Sequence, residues 1–375
     1  MTASIGAPMV APVRHRGFCV KVIFAALAVL LASPAFAATE RVGSLDGVPI
    51  IDRLDVADLP AGTTQRLWFR AGTSALAQPW LVPVIVIRGA RPGPRLLLTA
   101  GIHGDELNGI DVIHRLASID PATLAGTLTM VPGLNTPGLL QSVREFTPGS
   151  SRSAPNLNRA IPGSDGGRGV EDYAGRLWSR LLRPNADQAV DLHTQSRGTA
   201  YPLYAFASTP RTLAMAQLMA PDIIKLDPGE KGTVENEMVR AGVPAITLEL
   251  GRPEVFDTEQ VGRGVGGIVN LMREMGMMTG PVIARSPITF VGNSLAVARV
   301  PRSGFAVLRV KLGEAVTKGQ EIAIVSDAFG RVTDSVTAPV SGRVSAIATD
   351  PRAERGDMVA RIIWQSDDPK CAMGC

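Results

Sequence analysis

The amino-acid sequence predicts an α/β protein with a mixed sheet, followed by a smaller all-β domain. Runs rich in β-branched residues alternate with amphipathic segments over residues 80–275, which is the pattern of strands connected by helices. Residues 286–364 instead contain short β-rich runs separated by glycine and proline, without helical periodicity. We therefore expect a first domain at 38–280, a second at 286–365 and a polar tail at 366–375.

The order of elements follows from these patterns. A β-branched run at 80–88 is joined by a Pro-Gly turn to a buried run at 96–100, and we expect these two to be adjacent strands of the mixed sheet. Apolar residues at helical spacing follow over 107–116 and predict a helix that begins near Asp105. The other predicted strands lie at 48–51, 66–69, 127–131, 188–192, 201–206, 223–226 and 245–250, and the other predicted helices at 171–182, 212–219, 233–241 and 258–275.

The N-terminal segment, residues 1–37, has the composition of a secretory signal peptide. Three basic residues precede an apolar run at 22–31, and Ala35, Phe36 and Ala37 form a small-x-small cleavage site. The run is too short for a comfortable membrane span, although an uncleaved anchor is the alternative. We expect an exported protein, periplasmic or secreted, with no stable membrane span after cleavage.

Removal of this segment changes the charge and the cysteine content. The chain of 375 residues has a net charge of +4, and loss of the three basic residues lowers it to +1. A nearly neutral protein gives no support to nucleic-acid binding. Cys371 and Cys375 remain in the tail, where they can pair after export, but a disordered tail without a structural role is the favoured interpretation.

Two of the three histidines outside the signal segment follow predicted strands. His103 comes just after the 96–100 run, with Glu106 three positions later, and His193 ends the 188–192 run. Ligands of open α/β sheets bind at the carboxyl ends of strands, and two imidazoles with a carboxylate are a usual set for a hydrolytic zinc. His114 lies two helical turns past Glu106 and is interpreted as structural.

Glu249 lies within the otherwise apolar 245–250 strand. A buried carboxylate is costly unless it faces a site, so Glu249 is the candidate general base beside the metal. A structural ion pair is the alternative interpretation.

Four motifs occur together along the chain: Gly-Ile-His-Gly-Asp-Glu at 101–106, Asn-Leu-Asn-Arg at 156–159, Asp-Leu-His-Thr at 191–194 and Thr-Leu-Glu-Leu-Gly at 247–251. In this order and spacing the chain resembles the succinylglutamate desuccinylase/aspartoacylase family of carboxypeptidase A-like zinc hydrolases, over roughly residues 82–364. The resemblance implies a zinc carboxypeptidase-like catalytic domain. It also implies one zinc ion per subunit on His103, Glu106 and His193, with Glu249 as general base and acid.

The resemblance also implies residues that bind substrate. Asn158 and Arg159 would hold a carboxylate, which a planar guanidinium matches bidentately. An arginine nine residues after an asparagine would polarise the scissile carbonyl, and Arg144 follows Asn135 at that spacing, with Arg152 as the second candidate.

The chain departs from the family pattern in two places. Asn156 stands where the family usually has aspartate, a change of little consequence because this residue supports the loop. Residues 229–237 contain no tyrosine, although related enzymes often have a substrate-contacting tyrosine nearby, and this leaves the substrate open. Arg197 follows His193 closely, but a solvated loop charge is the favoured interpretation of this side chain.

The C-terminal β region has a resemblance of its own. Residues 310–320 and 337–344 resemble a lipoyl/biotinyl-like half-barrel. The hairpin at 327–331 has no lysine, so we expect no covalent lipoyl or biotinyl group, and a domain that shields or narrows the active site.

One further motif is interpreted as structural. Gly262, Gly264 and Gly267 form a G-x-G-x-x-G pattern, but it lies inside a predicted helix and does not directly follow a strand. Helix packing explains these glycines better than a dinucleotide site.

Together the motifs predict a zinc-dependent amidohydrolase that removes the acyl group of N-acyl amino acids or related small carboxylate-bearing substrates. A zinc carboxypeptidase acting on short or cell-wall peptides is the nearest alternative. A non-catalytic exported binding protein with the same fold is an alternative of another class. The acyl group, the amino acid and the oligomeric state are left open by the sequence.

Overall fold

The structure of the protein is a computed structural model that describes residues 38–74, 76–146, 155–283 and 289–375, with a few isolated positions among the first 11. The predicted signal segment and Arg152 therefore lie outside the described residues. No helix within the described part of the chain is long and apolar enough to cross a membrane.

The elements alternate along the chain much as the sequence predicts. The strands are β1 (Glu40–Leu45), β2 (Val48–Arg53), β3 (Thr63–Thr73), β4 (Pro79–Arg88), β5 (Arg91–Ala100), β6 (Ala125–Val131), β7 (Gln188–His193), β8 (Thr199–Ala200), β9 (Leu203–Ala207), β10 (Ile223–Leu226), β11 (Ala245–Leu250), β12 (Phe290–Gly292), β13 (Ser294–Arg299), β14 (Gly304–Leu308), β15 (Ala315–Val316), β16 (Glu321–Ser326), β17 (Val332–Thr337), β18 (Gly342–Ala348), β19 (Arg352–Ala353) and β20 (Met358–Trp364). The helices are α1 (Asn108–Leu116), α2 (Thr136–Leu139), α3 (Val170–Leu177), α4 (Pro210–Leu218), α5 (Val234–Arg240) and α6 (Thr258–Glu274).

A mixed sheet of eleven strands forms the centre of the fold, in the order β1-β2-β3-β4-β6-β5-β7-β11-β9-β10-β12. The strand β7 lies between β5 and β11 and is parallel to both. On either side of these strands, β4 runs antiparallel to β6, and β9 runs antiparallel to β11. Their apolar residues pack with the helices into two large cores. The predicted mixed α/β architecture is confirmed, and it brings the carboxyl ends of β5 and β7 together.

Two local features differ from the sequence-based expectation. The consecutive strands β4 and β5 are not neighbours, because β6 lies between them. Gly89 and Gly93 permit this: a Cβ at either position would come within 3 Å of backbone atoms at 124–126. In addition, α1 begins at Asn108 and not near Asp105, since Asp105 accepts a hydrogen bond from the Arg197 backbone N–H instead of capping the helix.

The C-terminal region is all-β, as predicted. Its strands form two sheets, β13-β20-β18-β15 and β17-β16-β14-β19, around a separate apolar core. This region is joined to the preceding part of the chain at two places: β12 pairs with β10 of the main sheet, and β18 pairs with β8, which lies outside that sheet. The likeness to a lipoyl or biotinyl half-barrel and the exact domain boundaries stay predictions.

The favoured interpretation of the tail as disordered is wrong. Cys371 and Cys375 form a disulfide, and residues 369–371 form a helical turn. The Cys375 backbone N–H donates to the Asn293 carbonyl at 3.0 Å, and Met373 packs against the core beside α6. These contacts join residues distant in sequence, so local composition could not indicate them.

The glycines of α6 provide a test of the helix-packing interpretation. A Cβ on Gly267 would lie 2.8 Å from the Met219 Cα, whereas a Cβ on Gly262 would meet nothing within 4 Å. We expect Gly267→Ala to lower the free energy of unfolding by roughly 1–3 kcal/mol through overpacking. Gly262→Ala is the matched control and should raise it by up to about 1 kcal/mol, because alanine is the better helix former. Denaturant unfolding measures both, and equal effects would contradict the interpretation.

Candidate metal centre

Three side chains with metal-binding atoms meet where β5 and β7 end. His103 and Glu106 lie in the turn after β5, and His193 is the last residue of β7. The turn needs glycine at two positions. Gly101 has a φ of +66°, and a Cβ on Gly104 would lie 2.1 Å from the Gly138 carbonyl carbon.

The carboxylate of Glu106 bridges the two imidazoles. Its Oε1 lies 2.8 Å from His103 Nδ1, and its Oε2 lies 2.9 Å from His193 Nδ1. All three side chains are buried, and one ligand atom from each lies within 4.8 Å of the others. Two imidazole nitrogens and a carboxylate oxygen at this spacing form a donor set that suits zinc.

The outer nitrogen of each imidazole has its own partner. His193 Nε2 lies 2.8 Å from Asp191 Oδ2, and Asp191 Oδ1 accepts a 2.6 Å hydrogen bond from the Thr99 hydroxyl. His103 Nε2 lies 3.2 Å from Asn156 Oδ1. An imidazole that donates from Nε2 keeps a lone pair on Nδ1, so these contacts orient both Nδ1 atoms for a cation. The residues present therefore fit a metal ion.

The electrostatics of the group agree with this arrangement. Burial opposes ionisation of Glu106, but the neighbouring His103 and His193 outweigh it and hold the Glu106 pKa well below its usual range. Burial disfavours the charged form of His193, yet Asp191 and Glu106 raise the His193 pKa well above its usual value. The two imidazoles thus keep the buried carboxylate of Glu106 ionised.

Glu249 lies beside this cluster on β11, opposite His193 in the parallel register. It is 6% exposed, and its Oε1 accepts a 3.2 Å hydrogen bond from Gln195 Nε2. Its Oε2 is buried without a hydrogen-bond partner among the described residues, which also offer it no ion pair. Burial raises the pKa of Glu249 to about 8. A buried carboxyl oxygen without a partner is unusual in folded proteins and calls for an explanation such as a water molecule, an ion or a catalytic role.

The candidate oxyanion residue lies next to the cluster. Arg144 Nη1 is 3.2 Å from Glu106 Oε1 and 3.3 Å from His103 Nδ1. The segment that contains Arg144 is held by Asn135, which accepts from the Gly138 N–H and donates to the Glu145 carbonyl. Asn135 thus holds both ends of the segment that places Arg144 beside the cluster, which explains the fixed spacing between the two residues.

The candidate carboxylate-binding residues lie on a turn beside α5. Asn158 Oδ1 accepts from the Val234 backbone N–H at 3.1 Å, which leaves the amide nitrogen of Asn158 as a donor. Arg159 donates to its neighbour's carbonyl and forms an ion pair with the exposed Glu230. The guanidinium has five N–H groups and keeps donors for a further anion.

A cavity of about 550 Å³ joins all these groups, and it is lined by His103, Glu106, Arg144, Asn158, Arg159, His193 and Glu249. It is also lined by Tyr201, Tyr204, Glu235 and Arg361, which the sequence-based reasoning did not identify. The tyrosines belong to the segment around β9, so their role could be recognised only after β9 was placed beside β11.

Two side chains lie away from the cluster. The Arg197 side chain is 70% exposed and pairs with Glu254, which agrees with the solvated loop charge that the sequence favoured. His114 is on the exposed side of α1.

A buried His-Glu-His group in a mixed α/β fold, beside a carboxyl oxygen without a partner among the described residues, is an arrangement typical of metal-dependent hydrolases. The profile described as the succinylglutamate desuccinylase/aspartoacylase catalytic domain matches residues 92–275. The N-alpha-acetyl-L-2,4-diaminobutyric acid deacetylase of Halomonas elongata is 29% identical over 278 residues, which are 70% of this chain and 78% of that protein.

Solved structures agree. The succinylglutamate desuccinylase/aspartoacylase of Rhodobacter sphaeroides superposes with a TM-score of 0.71 at 25% identity, over 82% of this chain and 98% of that one. The product-bound ectoine utilization protein EutE (DoeB) of Ruegeria pomeroyi has the same TM-score and coverage at 23% identity and shows the shared fold. Residues 92–275 thus match the catalytic domain of the succinylglutamate desuccinylase/aspartoacylase family, and the relatives named here act on N-acyl amino acids.

The outer contact of His193 provides a test of the metal centre. We expect Asp191→Asn to lower the affinity for zinc by about 10- to 100-fold, because an amide supports the imidazole less well than a carboxylate. Competition with a chromogenic chelator measures the affinity without requiring activity. His114→Ala is the control and should bind zinc as the wild type does. Unchanged affinity in Asp191→Asn would contradict the assigned role of this contact.

Proposed function

We propose that the protein is a zinc-dependent deacylase that hydrolyses the amide bond of N-acyl amino acids. The principal support is Glu249, which shares one cavity with the His-Glu-His group and whose buried Oε2 has no hydrogen-bond partner among the described residues. The Halomonas relative is named as a deacetylase of an N-alpha-acetyl amino acid, which supports the same bond type here.

His103, Glu106 and His193 would hold the zinc ion through the atoms described above. Zinc held by such residues supplies Lewis acidity towards a carbonyl oxygen and makes water more acidic. The contacts of Asp191 and Asn156 keep the two imidazoles oriented for this role.

Glu249 would move the protons. Its buried carboxyl has a pKa raised to about 8, near the range in which one group can both accept and donate a proton. It would take a proton from the attacking water and give it to the leaving amine. Gln195, which donates to Oε1, fixes the orientation of the carboxyl and leaves Oε2 without a partner among the described residues.

Arg144, Asn158 and Arg159 would bind the negatively charged parts of the substrate. Arg144 places a positive charge beside the metal ligands, where a carbonyl oxygen gains negative charge during attack. The free amide donor of Asn158 and the remaining donors of Arg159 suit a carboxylate at the other end of the scissile bond.

The C-terminal sheets would narrow the cavity. Leu295 of β13 and Arg361 of β20 line it, and Arg361 donates a 2.6 Å hydrogen bond to the Tyr201 hydroxyl. This boundary favours a small substrate over an extended peptide. The predicted half-barrel would act here as a wall of the site.

We also propose that the protein is exported. The support is the predicted signal segment at 1–37 together with the Cys371–Cys375 disulfide, since disulfides persist in oxidising compartments. N-terminal sequencing of protein recovered from the periplasm or the medium should give Ala38 or a close neighbour as the first residue. Intact protein confined to the cytoplasm would refute export.

The proposed roles separate metal binding from catalysis. We expect Glu249→Gln to bind zinc like the wild type but to lose about 10²- to 10⁴-fold in kcat, because the proton-transfer group is gone. His193→Ala should lose both zinc and activity. Measurements are zinc content after purification without chelators and hydrolysis of a panel of N-acetyl amino acids with and without added zinc.

The same panel includes short peptides with free carboxyl termini, which separates deacylation from carboxypeptidase action. A Glu249→Gln variant with full activity would refute the assigned base. A wild type that binds no zinc and hydrolyses nothing in the panel would refute the deacylase and favour a binding protein.

A further inference from the structure

The catalytic cavity contains a second buried carboxyl that the reaction does not use. Glu235, in the first turn of α5, lines the cavity and is 6% exposed. Its Oε2 accepts a 2.9 Å hydrogen bond from the Thr247 hydroxyl. Its Oε1 is buried and has no hydrogen-bond partner within the described chain. Such a group is costly unless something binds to it.

The charged residues nearby do not neutralise Glu235. Lys225 forms an ion pair with Asp227, and Arg159 forms one with Glu230, so the other charges lining this part of the cavity are already paired. Burial raises the pKa of Glu235 to about 8, and Asp227 and Asp191 add to the rise. A cation bound beside Glu235 would stabilise its ionised form and offset the cost of burying it.

Glu235 also lies where the side chain of an amino-acid substrate would extend. Val234, the preceding residue, donates its N–H to Asn158, the proposed carboxylate-binding residue. Thr247, which donates to Glu235, is two positions before Glu249 on β11, so both side chains emerge on the same face of the sheet. The carboxylate site, the base and Glu235 thus surround one space.

We propose that Glu235 is the residue that selects substrates with a positively charged side chain, the class that includes the diaminobutyric acid derivative in the name of the Halomonas relative. This proposal rests on the deacylase function and adds a residue that determines its specificity. An ammonium group would supply the missing donor to Oε1 and the missing positive charge in one contact. Phe206 and Tyr204, which also line the cavity, would contact the methylene groups of such a side chain.

The test compares substrates of equal shape and different charge. N-acetyl-L-ornithine and N-acetyl-L-norleucine differ by an ammonium group in place of a methyl group, and N-acetyl-L-glutamate adds a negative charge. We expect the zinc-loaded wild type to prefer the ornithine derivative by at least about tenfold in kcat/KM, since a buried charge pair is strongly discriminating. Glu235→Gln keeps the size and the acceptor for Thr247, and should lose that preference mainly through KM.

Glu237→Gln is the matched control. Glu237 is a buried glutamate on the same helix, but its Oε1 accepts from the Gly232 backbone N–H and it does not line the cavity. It should keep the preference for ornithine. Loss of preference in both variants would indicate a general effect on α5 and would overturn the proposal.

A binding measurement separates failure of this proposal from failure of the deacylase function. Calorimetry of the zinc-loaded protein with free L-ornithine and free L-norleucine requires no turnover. Preferential binding of ornithine that disappears in Glu235→Gln supports the proposal even if no acyl substrate is hydrolysed. Hydrolysis of the panel with equal or greater preference for norleucine or glutamate derivatives would leave the deacylase function intact and refute the role of Glu235.

Discussion

The bridging carboxylate of Glu106 is the interaction on which the rest of the site depends. Its two oxygens lie within 2.9 Å of the imidazoles of His103 and His193 and accept hydrogen bonds from the Thr194 backbone N–H and the Ser196 hydroxyl, while Arg144 lies beside it. A buried carboxylate is tolerated only with such compensation, because desolvation of an unpaired charge is expensive. The surrounding elements are therefore constrained to place donors at this one point.

The parallel arrangement of β5, β7 and β11 satisfies that constraint. Neighbouring parallel strands present their carboxyl ends at the same edge, so residues far apart in the chain become neighbours by register alone. Thr99 lies opposite Asp191, and His193 lies opposite Glu249. Asp191 accepts a hydrogen bond from the Thr99 hydroxyl and lies 2.8 Å from His193 Nε2, which shows how neighbouring strands orient His193.

Much of this arrangement could be predicted because its signals are local. Apolar runs ending in glycine mark the strands, and a histidine or glutamate at a strand end is visible in the sequence itself. Glu235 was missed for the opposite reason, since its buried state depends on Thr247 across a strand and a helix. The position of β6 between β4 and β5 and the packed tail were missed because periodicity along one segment contains no information about its spatial neighbours.

The pairing of β8 with β18 has a consequence for how the chain responds to a ligand. The segment between His193 and β8 includes Gln195 and Ser196, whose side chains contact Glu249 and Glu106, and its far end is hydrogen-bonded into the C-terminal sheet. Opening of that sheet would release the segment and disturb the site. By linkage, a molecule that binds in the cavity must also protect the C-terminal strands against local unfolding. Local unfolding of the C-terminal sheet is thus coupled to ligand binding in the cavity. Binding of a ligand should therefore be measurable as slower hydrogen exchange of the backbone amides in the C-terminal strands.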